Sequence, residues 1–272
     1  MPELPEVETT RRGLAPHLVG QRIRTAVVRN AALRVPVPRG LAKRLAGTMI
    51  RNVDRRGKYL LIDCGTGMLI VHLGMSGRLW LVDSGTVAQT HDHFDLVLEN
   101  GRIVRLRDPR RFGLVLWHEH GSPPHPLLAS IGPEPLSSEF SGAWLYEVTR
   151  NRAAAVKLVL MDSHVVAGVG NIYASEALFR ARVNPKLPAK RIGLARYELL
   201  AGKIRETLEA AIQAGGSTLR DFVGGDGRAG YFQNEHLVYG RGGEPCLTCG
   251  TQIREIRQGA RSTFYCPSCQ RR

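Results

Sequence analysis

Apolar positions along this chain fall into two regimes. Up to about Trp117 they come in short runs, Ile23–Val28, Tyr59–Ile62, Met68–Val71, Leu96–Leu98 and Ile103–Leu106, separated by Gly, Asp and Asn. Short runs rich in Val, Ile and Leu between turn formers predict strands, and a succession of them predicts an antiparallel sandwich. The first fifteen residues differ: Leu4, Val7 and Leu14 suit a short opening helix with Pro5 in its first turn and Gly13 near its end. A linker rich in Pro and Gly follows the strands, at Gly121–Pro126 and Gly132–Pro135. Beyond it Ser137–Arg152, Ala153–Met161, Ile172–Val183 and Leu194–Ala214 read as helices, with Asn184-Pro185 and Gly215-Gly216 as stops. Gly224–Gly230 reads as a glycine-rich loop, and the tail carries two cysteine pairs. The expected domains are residues 1–126, 133–230 and 236–272, a division that 272 residues can supply with separate cores.

Charge adds a partner to this outline. Lys and Arg number 38 against 24 Asp and Glu, a formal +14. Residues 1–60 hold thirteen basic against four acidic side chains, a local +9, and residues 241–272 hold six against two. Such an excess is costly to concentrate unless a polyanion neutralises it, so nucleic acid is the expected partner; a basic, solvated surface is the alternative. No apolar run approaches the ~18–20 residues that span a bilayer, and residues 1–15 are charged where a signal peptide is apolar. A cytoplasmic, nucleoid-associated protein with no membrane partner is expected. In a reducing compartment paired cysteines point to metal rather than to disulfides.

Cys246-x2-Cys249 and Cys266-x2-Cys269 have the spacing by which two tight turns offer four thiolates to one zinc ion. Four protein ligands leave no open position, so this zinc is structural. Ile253–Arg257 and Arg261–Tyr265 can pair between them as a hairpin, and Cys64, alone at a strand end, is expected to be structural. At the other end, removal of Met1 would leave Pro2 as a secondary amine beside Glu3, Glu6 and Glu8. An α-amino group titrates near ~8 and lysine near ~10.4, so roughly a tenth of such amines, but fewer than about one lysine in a thousand, is unprotonated at neutral pH. That amine is a candidate nucleophile, against the bland reading of an unstructured terminus. Asp108–Gly113 puts two guanidiniums and an aromatic ring on one turn, able to grip a backbone and wedge a base step. Gly170-Asn171 opens a helix whose exposed N–H groups suit a phosphate, with a plain cap as the alternative.

Taken together these segments resemble the bacterial formamidopyrimidine-DNA glycosylase family over nearly the whole chain. The resemblance rests on Pro2–Thr9, Gly57-Lys58-Tyr59-Leu60, His72–Gly77, Asp108–Gly113, Gly168–Glu176 and the cysteine tail. It implies an α+β multidomain protein with an N-terminal β-sandwich, a helical helix-two-turns-helix domain and a C-terminal four-cysteine zinc-finger β-hairpin holding one zinc. It implies a monomer acting on damaged double-stranded DNA in base excision repair. Pro2 would attack C1′ of the damaged nucleotide, Glu3 would serve as acid and base, and Lys58 joins them in the catalytic set. Glu6 would support the pocket; Lys58, His91, Arg111, Asn171 and Arg261 would hold phosphates. Met75, Arg110 and Phe112 would fill the vacated stack, and Lys157 would assist lesion handling. Residues 217–231 correspond to a lesion-capping loop. The implied activity is release of 8-oxoguanine and formamidopyrimidines followed by β- and δ-elimination. Two rivals stay open: the endonuclease VIII-type sister group, which prefers oxidised pyrimidines, and a non-catalytic zinc-ribbon protein that recognises damaged DNA.

Overall fold

The protein is represented by a computed structural model that describes residues 1–217 and 232–271. The chain divides into two compact units, Met1–Ala129 with Ala214–Gln233, and Ser130–Gln213 with Asn234–Arg272. The glycine-rich stretch 224–230, and all but the first residue of the capping loop implied for 217–231, lie outside the described residues.

In the first unit, helix α1 (Leu4–Leu18) starts where the chain can satisfy its orphan donors: Glu3 is the N-cap, Glu3 and Glu6 form a capping box, and Pro5 sits in the first turn. Strands β1 (Ile23–Val28), β2 (Asn52–Arg56), β3 (Tyr59–Asp63), β4 (Gly67–His72), β5 (Arg78–Val82), β6 (Asp92–Leu98), β7 (Ile103–Arg107) and β8 (Leu114–Glu119) follow, with helix α2 (Leu41–Leu45) between β1 and β2. They make two antiparallel sheets, ordered β1-β6-β7-β5 and β2-β3-β4-β8. One core takes Ile23 and Phe94 from the first sheet, Leu60 and Val71 from the second, and Val7, Leu14 and Leu18 from α1. The sandwich expected from the apolar runs is therefore present. Short helix α3 (Pro126–Ala129) covers the second sheet's outer face, where Leu127 and Leu128 pack on Ile70, Leu114 and Leu116.

β6 begins four residues earlier than its apolar run suggests, and the cause is a buried ion-pair ladder. Asp95 accepts both Nε (2.9 Å) and a terminal nitrogen (2.8 Å) of Arg105, and Asp92 accepts the same pair of donors from Arg107 at 2.6 and 2.9 Å. Bidentate pairing on neighbouring strands lets carboxylates occupy strand positions that are otherwise apolar.

In the second unit, helices α4 (Gly142–Thr149), α5 (Val156–Leu160), α6 (Asn171–Arg180) and α7 (Leu194–Gln213) precede the hairpin β9 (Arg254–Gln258) and β10 (Arg261–Tyr265). α4 and α5 are shorter than the sequence suggests. Ser141 Oγ accepts Trp144 N–H at 3.0 Å, which sets the α4 start well after Ser137. α7 buries Tyr197, Leu200, Ala201, Ile204, Leu208 and Ala211, one stripe at helical spacing. The hairpin turns at Gly259 and Ala260, both left-handed (φ 52° and 61°), as a type I′ turn demands. Phe264, Ile253, Cys246 and Cys266 pack on Phe179 of α6 and on Val238.

α1 is fastened to β2 by charge. Glu8 receives Arg11 and Arg12 at 2.9 and 2.8 Å, and Arg55 of β2 at 3.3 Å. Burial by itself would raise the Glu8 carboxyl, but the hydrogen-bonded guanidiniums of Arg11 and Arg12, with Arg55, outweigh it and hold the group at about 2. A depressed carboxylate stabilises the fold fully above its unfolded value of 4.5 and loses that contribution as pH falls toward 2. The shift corresponds to roughly 3 kcal/mol. Glu8→Gln is expected to lose about 2–3 kcal/mol in urea unfolding at pH 7 and to flatten the acid limb between pH 4.5 and 2. An unchanged acid limb would remove Glu8 as its source.

Candidate functional site

Pro2 stands immediately before the N-cap of α1, and Pro2, Glu3 and Glu6 are all buried. Glu6 is held at both oxygens by backbone donors: Oε2 accepts Glu3 N–H and Oε1 accepts Ser217 N–H, each at 2.8 Å. Gly216 (φ +81°) makes that second contact possible, since a Cβ there would lie 3.1 Å from Glu6 Oε1 and 3.3 Å from its Cγ. The secondary amine exposed by loss of Met1 would thus sit at the positive end of a helix dipole, beside the Glu3 carboxyl. A helix amino end disfavours an ammonium, and a neighbouring carboxyl can relay a proton.

Lys58 is placed by the two-residue turn between β2 and β3, where Gly57 (φ +56°) takes the left-handed first position of a type II′ turn. Across the sheet His72 pairs with Tyr59, ring centroids 4.8 Å apart. Burial, then the charges of Lys58 and Arg34, push the His72 imidazole down to about 4. His72 is therefore neutral at pH 7. Its Nδ1 accepts Gly74 N–H at 2.9 Å, which leaves the proton on Nε2.

Two loops carry the expected wedge residues, and one buried carboxylate joins them. Asp108, fully buried, accepts Ser76 Oγ at 2.9 Å on Oδ1 and Gly113 N–H at 2.7 Å on Oδ2. Ser76 belongs to the loop with Met75; Gly113 closes the loop with Arg110, Arg111 and Phe112. The loops touch so closely at Gly74 that a Cβ there would stand 2.5 Å from Phe112 C and Gly113 N. The Arg110 guanidinium lies over the Phe112 ring at 4.9 Å, and both side chains are exposed. His91 is tied to the same hub, its carbonyl accepting Asp108 N–H at 3.0 Å.

Four non-glycine residues among those described are left-handed: His91, Arg111, Arg182 and Ala260. His91 and Arg111 are expected phosphate holders, and Ala260 adjoins a third, Arg261. Strain of about 1–3 kcal/mol per residue persists where surrounding structure enforces it, often at binding sites.

In the second unit Lys157, Asn171 and the β10 strand converge. Lys157 is fully buried, and its ammonium donates to Asn171 Oδ1 at 2.6 Å, Ser262 O at 2.9 Å and Thr263 Oγ at 2.7 Å. An ammonium has only donors, so it fixes the Asn171 amide with oxygen inward and the NH2 group toward Ser262 O (3.1 Å) and Tyr239 Oη (3.4 Å). Asn171 and the Ser262-Thr263 stretch that follows Arg261, far apart in sequence, are thus joined through one lysine. Glu176 on α6, fully buried, accepts the N–H groups of Leu237, Val238 and Tyr239 on Oε1 at 3.1, 2.9 and 2.8 Å and pairs with Arg180. It fastens the chain that leads into the cysteine region.

The four cysteine sulfurs lie within 4.8 Å of one another, with Cys249 Sγ 3.5 Å from those of Cys266 and Cys269, and Cys246 Sγ 3.9 Å from Cys269 Sγ. Tetrahedral ligands about 2.3 Å from zinc stand about 3.8 Å apart, so the set fits one zinc ion, and none of the cysteines is in a disulfide. Cys269 N–H also points at Cys266 Sγ (3.4 Å). Zinc here supplies a cross-link in a small apolar cluster. Cys64 is buried, and burial first, with Asp63, pushes its thiol up to about 12, as suits a structural residue.

Pro2, Glu3 and Glu6 are brought together at the start of α1, and Met75, Arg110 and Phe112 through Asp108. Asp108 and Glu176 lie inside sequence motifs that give neither of them a task. The only local signal for either is an acidic residue inside an otherwise basic or apolar motif.

Residues 1–115 match the model of the formamidopyrimidine-DNA glycosylase N-terminal domain, residues 131–223 that of the H2TH domain of the same glycosylase, and residues 243–272 a zinc finger found in FPG and IleRS. The formamidopyrimidine-DNA glycosylase of Janthinobacterium sp. (strain Marseille) is 58% identical, with all of both chains covered, and that of Marinobacter nauticus is 57% identical at the same coverage. Among solved structures, the MutM (FPG) protein of Thermus thermophilus is similar with a TM-score of 0.89 and 41% identity, covering 99% of this chain and 98% of that one. The Lactococcus lactis Fpg in complex with DNA containing an abasic site has a TM-score of 0.92 and 34% identity, over 99% of this chain and 100% of that one.

Asp108→Ala should leave Ser76 Oγ and Gly113 N–H without this acceptor and cost about 2–3 kcal/mol in urea unfolding. Retention of full stability would show that the loops are held by other means. Chelation should release one zinc ion per chain and abolish amide protection in β9 and β10, while the sandwich strands keep theirs; hydrogen exchange reads both.

Proposed function

The chain belongs to the formamidopyrimidine-DNA glycosylase family, and from that premise we propose that it excises oxidised purines from duplex DNA and then cleaves the strand at the abasic site. The observation that carries the reading is the amino end of α1, where Pro2 adjoins the buried Glu3 and the doubly held Glu6. Loss of Met1 frees the Pro2 nitrogen. It attacks C1′ of the damaged nucleotide as the N-glycosidic bond breaks and the base leaves with a proton relayed by Glu3. Glu3 then protonates O4′, the C1′–O4′ bond breaks and the sugar ring opens, and the secondary amine is left as a cationic iminium whose C2′ proton is acidic. Its removal expels the 3′ phosphate by β-elimination, and a second elimination expels the 5′ phosphate. Water then hydrolyses the iminium and returns the free amine. A gap with phosphates at both ends is left.

Attack at C1′ requires the nucleotide to leave the stack, at a few kcal/mol. Met75 with the stacked pair Arg110 and Phe112 would fill the vacancy. Lys58, His91 and Arg111 of the first unit, and Asn171 and Arg261 of the second, would hold phosphates. Asn171 suits that task because its oxygen is occupied by Lys157, so the NH2 group, held at 3.1 Å on Ser262 O and 3.4 Å on Tyr239 Oη, is the end of the amide that a phosphate would engage. Lys157 would then serve lesion handling through Asn171 and the hairpin.

Borohydride should trap the Met1-free protein on a duplex with 8-oxoguanine opposite cytosine, and acetylation of the Pro2 nitrogen should abolish trapping. Glu3→Gln should slow base release by about 10²–10⁴-fold, the usual worth of general acid–base catalysis. Trapping by the acetylated chain would overturn the amine mechanism. Faster release of thymine glycol than of 8-oxoguanine would transfer the protein to the pyrimidine-preferring sister group.

A further inference from the structure

The outer face of the β1-β6-β7-β5 sheet carries a ladder of charge that ends at an open edge. Arg29 meets Asp95 at 2.6 Å, Asp95 meets Arg105 at 2.8 Å, Arg105 lies 3.7 Å from Asp92, and Asp92 meets Arg107 at 2.6 Å. From Arg107 the ladder continues by stacking: its guanidinium lies 5.4 Å from the centroid of the Trp80 ring, and that of Arg78 lies 4.8 Å from the same ring. The register puts the strand residues of this ladder on one face, since Arg78 opposes Arg107 and Trp80 opposes Arg105. Four guanidiniums, of Arg29, Arg105, Arg107 and Arg78, thus face two carboxylates, of Asp92 and Asp95. The two carboxylates are taken up by Arg29, Arg105 and Arg107. Among the described residues Arg78 has no carboxylate partner, and it stands half-buried on β5, the edge strand.

Its place in the chain matters as much as its charge. Arg78 directly follows the loop of Met75 and Ser76, and Arg107 directly precedes Asp108, so the Arg78, Trp80 and Arg107 stack is the base from which both wedge loops spring. Arg78 lies three residue steps beyond Met75, at most about 11 Å of chain, roughly the rise of three base pairs. Stacking on Trp80 holds the Arg78 guanidinium in place before any ligand arrives, which lowers the ordering cost of a contact.

We infer that Arg78, held by Trp80, grips a phosphodiester of double-stranded DNA on one side of the segment entered by Met75, Arg110 and Phe112, a contact outside the lesion itself. The inference rests on the proposed function, which supplies the DNA. Binding is measured as a function of salt with three duplexes bearing an abasic-site analogue, one extending a helical turn on both sides and two trimmed on one side or the other. On the long duplex Arg78→Ala should reduce the slope of log affinity against log salt by about 0.9, the share of one phosphate. Arg78→Lys should keep the slope but bind several-fold more weakly, because the charge remains and the planar stack is lost. Trp80→Ala should weaken binding several-fold in the wild-type background and not at all when combined with Arg78→Ala. On one of the two trimmed duplexes the Arg78→Ala effect should vanish.

An unchanged slope for Arg78→Ala, or an equal loss on all three duplexes, would overturn the contact. Additive effects of Trp80→Ala and Arg78→Ala would overturn the role of the ring. These arms read DNA binding without base excision, so they are independent of borohydride trapping. Salt-independent binding by the wild-type chain would instead remove the nucleic-acid reading and this contact with it.

Discussion

A charge withdrawn from water has to be met from every side, and the candidate residues of each unit are organised around two that are. Glu6, Asp108, Glu176 and Lys157 are each at most 2% exposed, and each binds groups from separate stretches of chain. Glu6 joins the first turn of α1 to Ser217; Asp108 joins the two wedge loops; Glu176 joins α6 to Leu237–Tyr239; Lys157 joins the α6 amino end to β10. Leaving such a group half-satisfied costs more than an apolar residue would in its place. The segments bearing the exposed side chains are consequently fixed by buried ones.

This division of labour explains which parts were legible in sequence. The strand runs at Ile23–Val28 and Met68–Val71 announce themselves as short apolar stretches bounded by turn formers, and α7 by an apolar stripe at helical spacing. The front of β6 does not, because Asp92 and Asp95 look like loop residues until Arg105 and Arg107 are known to lie opposite them. Local pattern carries no record of a partner ten positions away. The cysteine ligands were readable for the opposite reason: two pairs at fixed spacing encode a tetrahedron almost by themselves. Pro2, Glu3 and the wedge loops could be named from their chemistry and the family resemblance. That Lys157 is enclosed, with its donors turned onto Asn171 and β10, could not, since a lysine in a short apolar helix reads as exposed.

Backbone strain marks the same regions from another direction. His91 and Arg111 adopt left-handed conformations that glycine would take more readily, and neither needs its side chain for the core. The surrounding hub around Asp108 holds them there. Within these loops glycine stands where a Cβ would clash, at Gly74 against Phe112, or crowd its neighbour, at Gly216 against Glu6. Freedom and constraint are thus assigned residue by residue within single loops.

The bond between Glu6 and Ser217 spans 211 positions. On a translating ribosome the leading helix emerges early, yet the donor that completes its first turn arrives only after the sandwich and the helices of the second unit have been synthesised. A nascent chain therefore carries its amino end in an unfinished setting for most of its synthesis, and an abortive fragment ending before that point lacks the finished one. Completion of the first turn of α1 is in this way postponed until residue 217 of 272 has been added.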